Sequence, residues 1–578
     1  MSRKITSIAL VFFALVIPSS ISRASELPGE QFAITNPPTN DRYTGINFAV
    51  GEDDKNTSSY LEALTSEGTS RESKITSKFT CSQVGSTNCE KNKYFRYSAQ
   101  LEMCSNLQKM DCVVKVFAKK QDNTVIEGTF VENYPGKTQY TYSGDPSINL
   151  PDGGSSFVVD FPDLPHQGGT KYLVMVNMTG YRGFGETKFT LENFSTSLYA
   201  VSKQIGRFSV SIPEPRIRAD HTLGGRQNNQ GGWFADGKKT GRAPCVQSAG
   251  DSCMYSWPLP MDIEFGITLK LQTKISGWLH GRLSNASAEI SQGEIGSQIV
   301  TLRGKPVLIP GLFGWFKKTE LPDVLNRIYL GNNQVNIEGA GWPANDGTPD
   351  GPDGLPYSII KTGFAYDQGG FAQIFAWSQA LNDRASYVTS VWSFRSIRSD
   401  SEYSNCFKGQ ETLSGIVSTN ATMYIASPPS FNNFEKTLDY QVTAPHFLPD
   451  GSEFRGMYNL LIRSDVARCI YQFNEAPISA TISIVSVDGT NKVATTTFTE
   501  DKGWLNLAAS NFTFSAPILK VRLVQSPDSK QVSEKQTSLK KTTTKKVVKK
   551  SITCISGNSK KIVIGNNPRC PVGYKAKS

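Results

Sequence analysis

Residues 261–272 read MDIEFGITLKLQ, and this stretch decides the fold class. Apolar side chains occupy every odd position from Met261 to Leu271 and alternate with small, polar or charged residues. Six consecutive alternations predict a β-strand with one buried face and one solvent-exposed face. Asp262 and Glu264 fall on the exposed face, so the pattern favours solvated carboxylates over a catalytic pair.

Shorter alternations of the same kind recur along the chain, separated by Asp-Gly and other Gly- or Pro-rich turns. Two short segments, 320–329 and 370–382, are predicted helices. The sequence therefore predicts an all-β protein of two or three β-sandwich-like domains with short helical insertions. The expected parts are an N-terminal β domain (25–205), a central β domain with the short helices (206–400) and a C-terminal β-sandwich (401–525).

The first 24 residues have the three parts of a secretory signal peptide. Arg3 and Lys4 precede an apolar run at 8–17, and small residues flank the cleavage position after Ala24. The run is too short for a transmembrane helix, which needs about 20 residues. We therefore expect an exported protein without a transmembrane anchor, either extracellular or associated with the cell envelope.

Ten cysteines in an exported chain predict a disulfide framework. Three pairs each enclose seven residues of polar, turn-like sequence, which can bring two Cα atoms within disulfide range. The remaining four cysteines pair most simply in chain order. The predicted disulfides are Cys81–Cys89, Cys104–Cys112, Cys245–Cys253, Cys406–Cys469 and Cys554–Cys570. Metal binding is the alternative, but the four histidines lie far from any close cysteine pair.

The positive charge of the chain belongs to its C-terminus. Residues 526–578 contain twelve Lys and one Arg against two acidic residues, a net charge of +11, whereas the whole chain carries +10. We expect a Lys-rich linker at 526–550 and a small disulfide-linked hairpin module at 551–578. Such a linker either attracts polyanions or acts as a solubilising spacer. The candidate polyanion contacts are Lys540, Lys541, Lys545, Lys546, Lys549 and Lys550.

Two stretches carry a resemblance. The ending ITCISGNSKKIVIGNNPRCPVGYKAK (552–577) resembles a short basic, Cys-containing module that recurs on predicted exported proteins of actinobacteria. Residues 438–524, which include YNLLIRSDVARCIYQF and GWLNLAASNFTF, resemble a β-rich segment often placed before that module. The resemblance implies an exported, modular protein, and it carries no activity and no catalytic residue.

Few residues point to specific chemistry. The chain has neither an HExxH nor a G-x-S-x-G motif, and disulfides account for its thiols. Asp346, Asp350 and Asp353 offer oxygen ligands for Ca²⁺, although their spacing departs from an EF-hand and repeated Asp-Gly also forms turns. No other cofactor is expected. His280 shares a strand face with Trp278 and Arg282, where a structural role is favoured over catalysis.

Three tryptophans, Trp233, Trp315 and Trp342, lie among Gly, Pro or Asn and are candidates for stacking on sugars or for core packing. The sequence thus favours an exported binding or structural protein whose partner is a wall polymer, an acidic glycan or another surface polyanion rather than a nucleic acid. The alternatives are an extracellular glycan hydrolase and a membrane-interacting β-protein, the latter resting on residues 310–318.

Overall fold

A computed structural model describes most of the chain between residues 59 and 525 and part of the C-terminal module. The described ranges are 29–33, 43–48, 59–66, 75–87, 89–90, 94–106, 109–136, 141–205, 245–249, 252–316, 323, 357–362, 368–397, 404–406, 412–474, 478–485, 491–492, 495–514, 518–525, 550–556, 559–565, 570 and 575–576. The chain divides into a large unit, Met1–Asn474 with Ile478–Val524, and a small unit, Gln525–Ser578 with Glu475–Pro477.

The large unit is built from β-strands. From the N-terminus these are β1 (Gln31–Phe32), β2 (Tyr43–Phe48), β3 (Tyr60–Ser66), β4 (Ile75–Thr80), β5 (Tyr94–Gln100), β6 (Cys112–Lys119), β7 (Val125–Glu127), β8 (Thr129–Tyr134), β9 (Ser156–Asp160), β10 (Lys171–Arg182) and β11 (Thr190–Ile205). Next come β12 (Cys245–Ala249), β13 (Ser252–Trp257), β14 (Glu264–Leu271), β15 (Gly277–Arg282), β16 (Ser284–Gln292), β17 (Gln298–Lys305), β18 (Val307–Phe316), β19 (Tyr357–Thr362), β20 (Tyr387–Val391) and β21 (Ser393–Ile397). The last are β22 (Leu413–Thr419), β23 (Met423–Tyr424), β24 (Ser430–Asn432), β25 (Thr437–Thr443), β26 (Arg455–Arg463), β27 (Ile478–Val485), β28 (Asn491–Lys492), β29 (Thr495–Asp501), β30 (Trp504–Thr513) and β31 (Ile518–Gln525).

These strands form several sheets, which confirms the predicted all-β class. The main sheet runs β29-β30-β26-β22-β15-β21-β11-β10-β5-β3-β4, with β8, β9, β12 and β13 attached. The cover sheet runs β16-β17-β14-β6-β7, the C-terminal sheet β23-β25-β31-β27-β28 with β24 beside β25, and the side sheet β1-β20-β18-β2-β19.

Two apolar cores lie on opposite faces of the main sheet. The first core joins the main sheet to the cover sheet, and the second core joins it to the C-terminal sheet. Strand β15 shows the alternation directly, because Leu279 belongs to the first core and Trp278 to the second. A central strand buried on both faces in this way gives the layered, sandwich-like architecture.

Strand β14 forms where the alternation predicts it, and its odd-numbered apolar residues enter the first core. The expectation of a solvent-exposed opposite face is wrong at Gly266 and Thr268, which are buried. The cause is that side chains of the neighbouring strands β6 and β17 cover this face of β14. The Phe117 ring covers Gly266, where an added Cβ would lie 2.3 Å from it, and Thr268 Oγ1 lies 3.0 Å from Thr301 Oγ1.

Strand pairing crosses the positions near 205 and 400 where the sequence suggested domain boundaries. Strand β11 pairs with β13 and with β21, and β15 pairs in parallel with β22. The described strands on either side of both positions therefore share one sheet. Near 525, in contrast, the large unit ends.

Two α-helices have described bounds. Helix α1 (Gln368–Ala380) lies where the sequence predicts a helix, and Asp323, the one described residue of the other predicted helix, is also helical. Helix α2 (Ser464–Tyr471) was not predicted, because it interrupts a stretch that resembles a β-rich segment. Its buried residues Val466, Ala467 and Ile470 pack into the second core. No helix within the described ranges is long and apolar enough to cross a membrane.

Three disulfides are described in full, two of them predicted from the cysteine spacing and the third from chain order. They join Cys81 to Cys89, Cys104 to Cys112 and Cys406 to Cys469, with Cα–Cα distances of 6.1, 5.1 and 5.8 Å. Cys253 and Cys570 are also disulfide-bonded. The side chains of their predicted partners, Cys245 and Cys554, lie outside the described residues.

The small unit contains β32 (Lys550–Ser556), β33 (Ser559–Gly565) and β34 (Lys575–Ala576), in the order β33-β32-β34. The predicted antiparallel hairpin is therefore confirmed, and a short third strand joins it. Lys550 opens β32. The signal peptide and Lys540, Lys541, Lys545, Lys546 and Lys549 lie outside the described residues, so those predictions stand as made.

A buried carboxylate links the start of β6 to the end of β14. Asp111 has a left-handed backbone (φ 49°), and its Oδ1 accepts hydrogen bonds from the backbone N–H groups of Gln272 and Thr273, each at 3.0 Å. Burial raises the pKa of Asp111 to about 6, although these two hydrogen bonds oppose the shift. Ionisation of this carboxyl is therefore unfavourable in the folded protein.

We expect the free energy of unfolding to fall as pH rises from about 4 to 6. The folded-state pKa of Asp111 lies above its unfolded value, so the folded protein binds more protons within that window, and the shift corresponds to about 3 kcal/mol. Asp111→Asn keeps an acceptor oxygen and tolerates the left-handed backbone. The variant should match the wild type at pH 4 and exceed it at pH 7 in denaturant unfolding. If the free energies of unfolding of the two proteins change with pH in parallel, Asp111 is not the group responsible for the change.

Candidate functional site

A groove of about 460 Å³ lies in the large unit between the β16–β17 hairpin and the β29–β30 hairpin. This volume is within the range of sites that bind small organic ligands. Its lining includes an aromatic ring and several polar groups: Glu289, Thr301, Arg303, Asp501, Trp504 and Asn506.

The groove exists because the cover sheet ends before the main sheet does. Strand β16 is the edge of the cover sheet, whereas the main sheet continues through β26 to β30 and β29. Asn506 pairs with Thr499 and with Leu461, a residue of the first core. Since directly paired residues point to the same face, this part of the main sheet faces the cover sheet's edge. Its side chains are polar here, where no strand of the described cover sheet lies over them.

A tight turn fixes the end of the groove. Asp501 pairs with Trp504, and the two intervening residues, Lys502 and Gly503, have φ angles of 49° and 79°. Two consecutive positive φ angles are typical of the type I′ hairpin turn, for which Gly is well suited. The backbone N–H of Ser464, the first residue of α2, donates to the Gly503 carbonyl at 2.8 Å. The turn is thereby attached to the helix.

A second contact fixes the same hairpin from its other face. Arg468 of α2 forms an ion pair with Glu500, with Nη1 and Oε1 3.1 Å apart. Glu500 alternates with Thr499 and Asp501, so this ion pair lies opposite the groove side of β29. Trp504 is partly buried and packs against the first core while also lining the groove. The indole is therefore held in place before any ligand arrives.

Hydrogen bonds orient the polar groups of the groove. Arg303 Nη2 lies 3.1 Å from Glu289 Oε1 in a partly exposed ion pair. Asn459 Nδ2 donates to Asn506 Oδ1 at 2.6 Å, which leaves the Asn506 amide nitrogen as the donor of that side chain. Hydrogen-bond acceptors and donors thus both line the groove beside the Trp504 ring.

A cluster on β15 has a structural role. Trp278, His280 and Arg282 share one buried face, as the sequence predicts. The His280 ring stacks on Tyr424 with centroids 3.4 Å apart and planes 3° apart, and the Arg282 guanidinium lies 4.7 Å from the same Tyr424 ring. Burial, then the charges of Arg282 and Arg395, lower the pKa of His280 well below its usual value. A neutral, fully buried imidazole suits packing rather than proton transfer with a substrate.

A second His-containing cluster follows α1. Asp383 accepts hydrogen bonds from Ser378 Oγ at 2.6 Å, from the His446 backbone N–H at 3.2 Å and from His446 Nδ1. Burial alone would raise the pKa of Asp383, but these hydrogen bonds lower it below its ordinary value. The carboxylate lies between serine and histidine, whereas a catalytic triad needs the histidine in the middle. The arrangement fixes the 446 loop to the end of α1.

None of the sequence candidates that the structure describes lines the groove. Trp315 lies in β18, which pairs with β20 and β2, and not in a loop; its side chain lies outside the described residues. Trp233, Trp342 and the Ca²⁺ candidates Asp346, Asp350 and Asp353 also lie outside them. Within the described ranges, no three His, Cys, Asp or Glu side chains gather around a possible metal position.

Trp504 was missed by the sequence reasoning, although a signal for it exists. In DKGWLNL (501–507), a Gly-containing turn precedes Trp504 and Asn506, which alternate with the buried Leu505 and Leu507. A tryptophan on the polar face of a strand, next to a tight turn, is a candidate ligand contact. No protein-family model, curated protein or solved structure matches the chain at a significant level, so the groove itself carries the functional argument.

Proposed function

We propose that this is an exported binding protein that holds a glycan or wall polymer in the groove between β16–β17 and β29–β30. The observation that carries the proposal is the fixed, partly exposed Trp504 ring flanked by polar side chains. Sugar rings offer apolar C–H faces that stack on an indole, and hydroxyl groups that exchange hydrogen bonds with carboxylates, amides and guanidinium groups.

Two features support a location outside the cytosol. The sequence begins with the predicted signal peptide, and the large unit contains disulfides at Cys81–Cys89, Cys104–Cys112 and Cys406–Cys469. Structural disulfides persist in oxidising compartments and are rare in the cytosol. Wall polymers and surface glycans are the hydroxyl-rich ligands that such a protein meets.

A glycan hydrolase is the second candidate because two carboxylates, Glu289 and Asp501, line the same groove. Most glycosidases use a pair of carboxyl groups on either side of the scissile bond. Reducing-end release from a bound polymer separates the two functions. If the protein releases reducing ends and the Glu289→Gln or Asp501→Asn variant does not, the protein is a hydrolase. If it binds the polymer and releases no reducing ends, it is a binding protein.

Trp504→Ala should weaken glycan binding by about tenfold or more, since a central aromatic contact typically contributes upwards of 1.4 kcal/mol. Trp504→Phe keeps an aromatic ring packed on the first core and should lose less glycan affinity than Trp504→Ala. Both are measured by calorimetric titration with the best ligand from a glycan array.

The matched control is Phe434→Ala. Phe434 is 95% exposed at the turn between β24 and β25 and does not line the groove, so its loss removes an exposed aromatic ring without touching the site. Glycan binding should be unchanged in this variant. Equal losses in Trp504→Ala and Phe434→Ala, or no loss in either, would contradict the assignment of the groove.

A further inference from the structure

The charges that line the groove cancel. Two acidic residues, Glu289 and Asp501, are matched by two basic residues, Arg303 and Lys502. An arginine or lysine cluster is the usual device for capturing carboxylate, sulfate or phosphate groups, because uncompensated positive charge attracts anions. The groove has no such excess.

Arg303 is also engaged already. Its Nη2 lies 3.1 Å from Glu289 Oε1, so an anionic ligand taking the guanidinium would have to displace a carboxylate of the protein. Such an exchange replaces one ion pair by another and leaves Glu289 next to the incoming anion. Like charges that close repel, by about 1 kcal/mol at groups that are partly exposed to water, as Glu289 and Arg303 are. A hydroxyl group, in contrast, can donate to Glu289 and accept from Arg303 without breaking their contact.

We propose that the groove prefers a neutral, hydroxyl-rich glycan segment to an acidic one. This inference rests on the proposed function and names its ligand class. The Trp504 ring stacks on one sugar, and Asp501 accepts hydrogen bonds from hydroxyl groups beside it. On the opposite wall of the groove, Glu289 accepts hydrogen bonds from hydroxyl groups of the sugar and Arg303 donates to them. The +11 charge of residues 526–578 then serves a separate, salt-sensitive attraction to anionic polymers.

The test uses the full chain after signal removal and two kinds of probe: neutral hexose, pentose and N-acetylhexosamine oligosaccharides, and the acidic polymer polygalacturonate. Neutral binding should change less than about twofold between low and high salt, because no net charge is involved. It should fall about tenfold in Trp504→Ala. Polygalacturonate binding should collapse with salt, be unaffected by Trp504→Ala, and fall when the six lysines Lys540, Lys541, Lys545, Lys546, Lys549 and Lys550 are all changed to glutamine.

Substitutions that remove one charge from the groove distinguish a neutral ligand from an anionic one. For a neutral ligand, Glu289→Gln and Arg303→Gln should both weaken binding, since each replaces a charged hydrogen-bonding group by a neutral one that bonds less strongly. For an anionic ligand, Glu289→Gln should instead strengthen it and Arg303→Gln weaken it. Salt-sensitive polygalacturonate binding that needs Trp504 would overturn the neutral selectivity while leaving glycan binding in place. Glycan binding that ignores Trp504 altogether would overturn the proposed function as well.

Discussion

Replacing Arg282 by methionine is expected to lower the free energy of unfolding by about 3–4 kcal/mol. The fully buried guanidinium donates to the carbonyl oxygens of Thr419 and Thr422 at 3.4 Å and, more closely, to that of Ala421. Methionine fills much of the volume but offers no donor, so buried carbonyl oxygens lose their partner at a cost of about 1–3 kcal/mol each. Denaturant unfolding followed by tryptophan fluorescence measures the loss.

Arg303→Met provides the matched control. Arg303 is an arginine of the same unit, but it forms a partly exposed ion pair with Glu289. Exposed pairs of this kind contribute less than about 1 kcal/mol. The two arginine-to-methionine variants should therefore differ severalfold in destabilisation, and similar losses would show that the Arg282 contacts contribute little.

The second large effect is expected from the Cys406–Cys469 disulfide. Its members are 63 residues apart, so the bond closes a long loop and attaches the Ser404–Cys406 turn to α2. In the chain-entropy model, removing it through Cys406→Ala with Cys469→Ala lowers stability by about 4 kcal/mol. Unfolding midpoints of the double variant under non-reducing conditions measure this.

The Cys81–Cys89 disulfide is the internal comparison. Its members are only 8 residues apart, and the same model assigns it about 2.6 kcal/mol. Alanine substitution of this pair should therefore be less damaging than loss of Cys406–Cys469. The reverse order would mean that local contacts, rather than loop closure, govern the stabilisation by these bonds.

Local sequence predicts the elements of this fold better than it predicts their arrangement. Strand β14 and helix α1 lie where residue spacing places them, because period-2 and helical spacing are properties of adjacent residues. Helix α2 was not predicted because eight residues are too few to show a helical pattern. The sequence does not show that Val466, Ala467 and Ile470 are buried, since they are covered only by the second core. The position of β11 and β15 in the main sheet, in contrast, depends on pairing with strands that are far away in the sequence.

The groove, likewise, could not be predicted from local sequence. Trp504 and Asn506 are separated from Glu289 and Arg303 by about 200 residues in the sequence, and only the end of the cover sheet at β16 brings them together. No spacing rule connects two hairpins across such a distance. Of the tryptophans that the sequence singled out, Trp315 lies in strand β18, and Trp233 and Trp342 lie outside the described residues.

The order of strands in the main sheet has a consequence for how the chain assembles during synthesis. Ser197 of β11 pairs with Ser393 of β21, and β15 pairs with β22. At ribosomal speeds of about 5–20 residues per second, roughly 10–40 s separate the emergence of Ser197 from that of its partner. Until then residues 195–197 of the β11 edge are unpaired, because β13 covers only residues 200–205, and an unpaired edge is prone to wrong pairing. The N-terminal strands can pair among themselves, but the main sheet is complete only after β21 and β22 have been made, and a holding chaperone that delays wrong pairing would favour the native sheet.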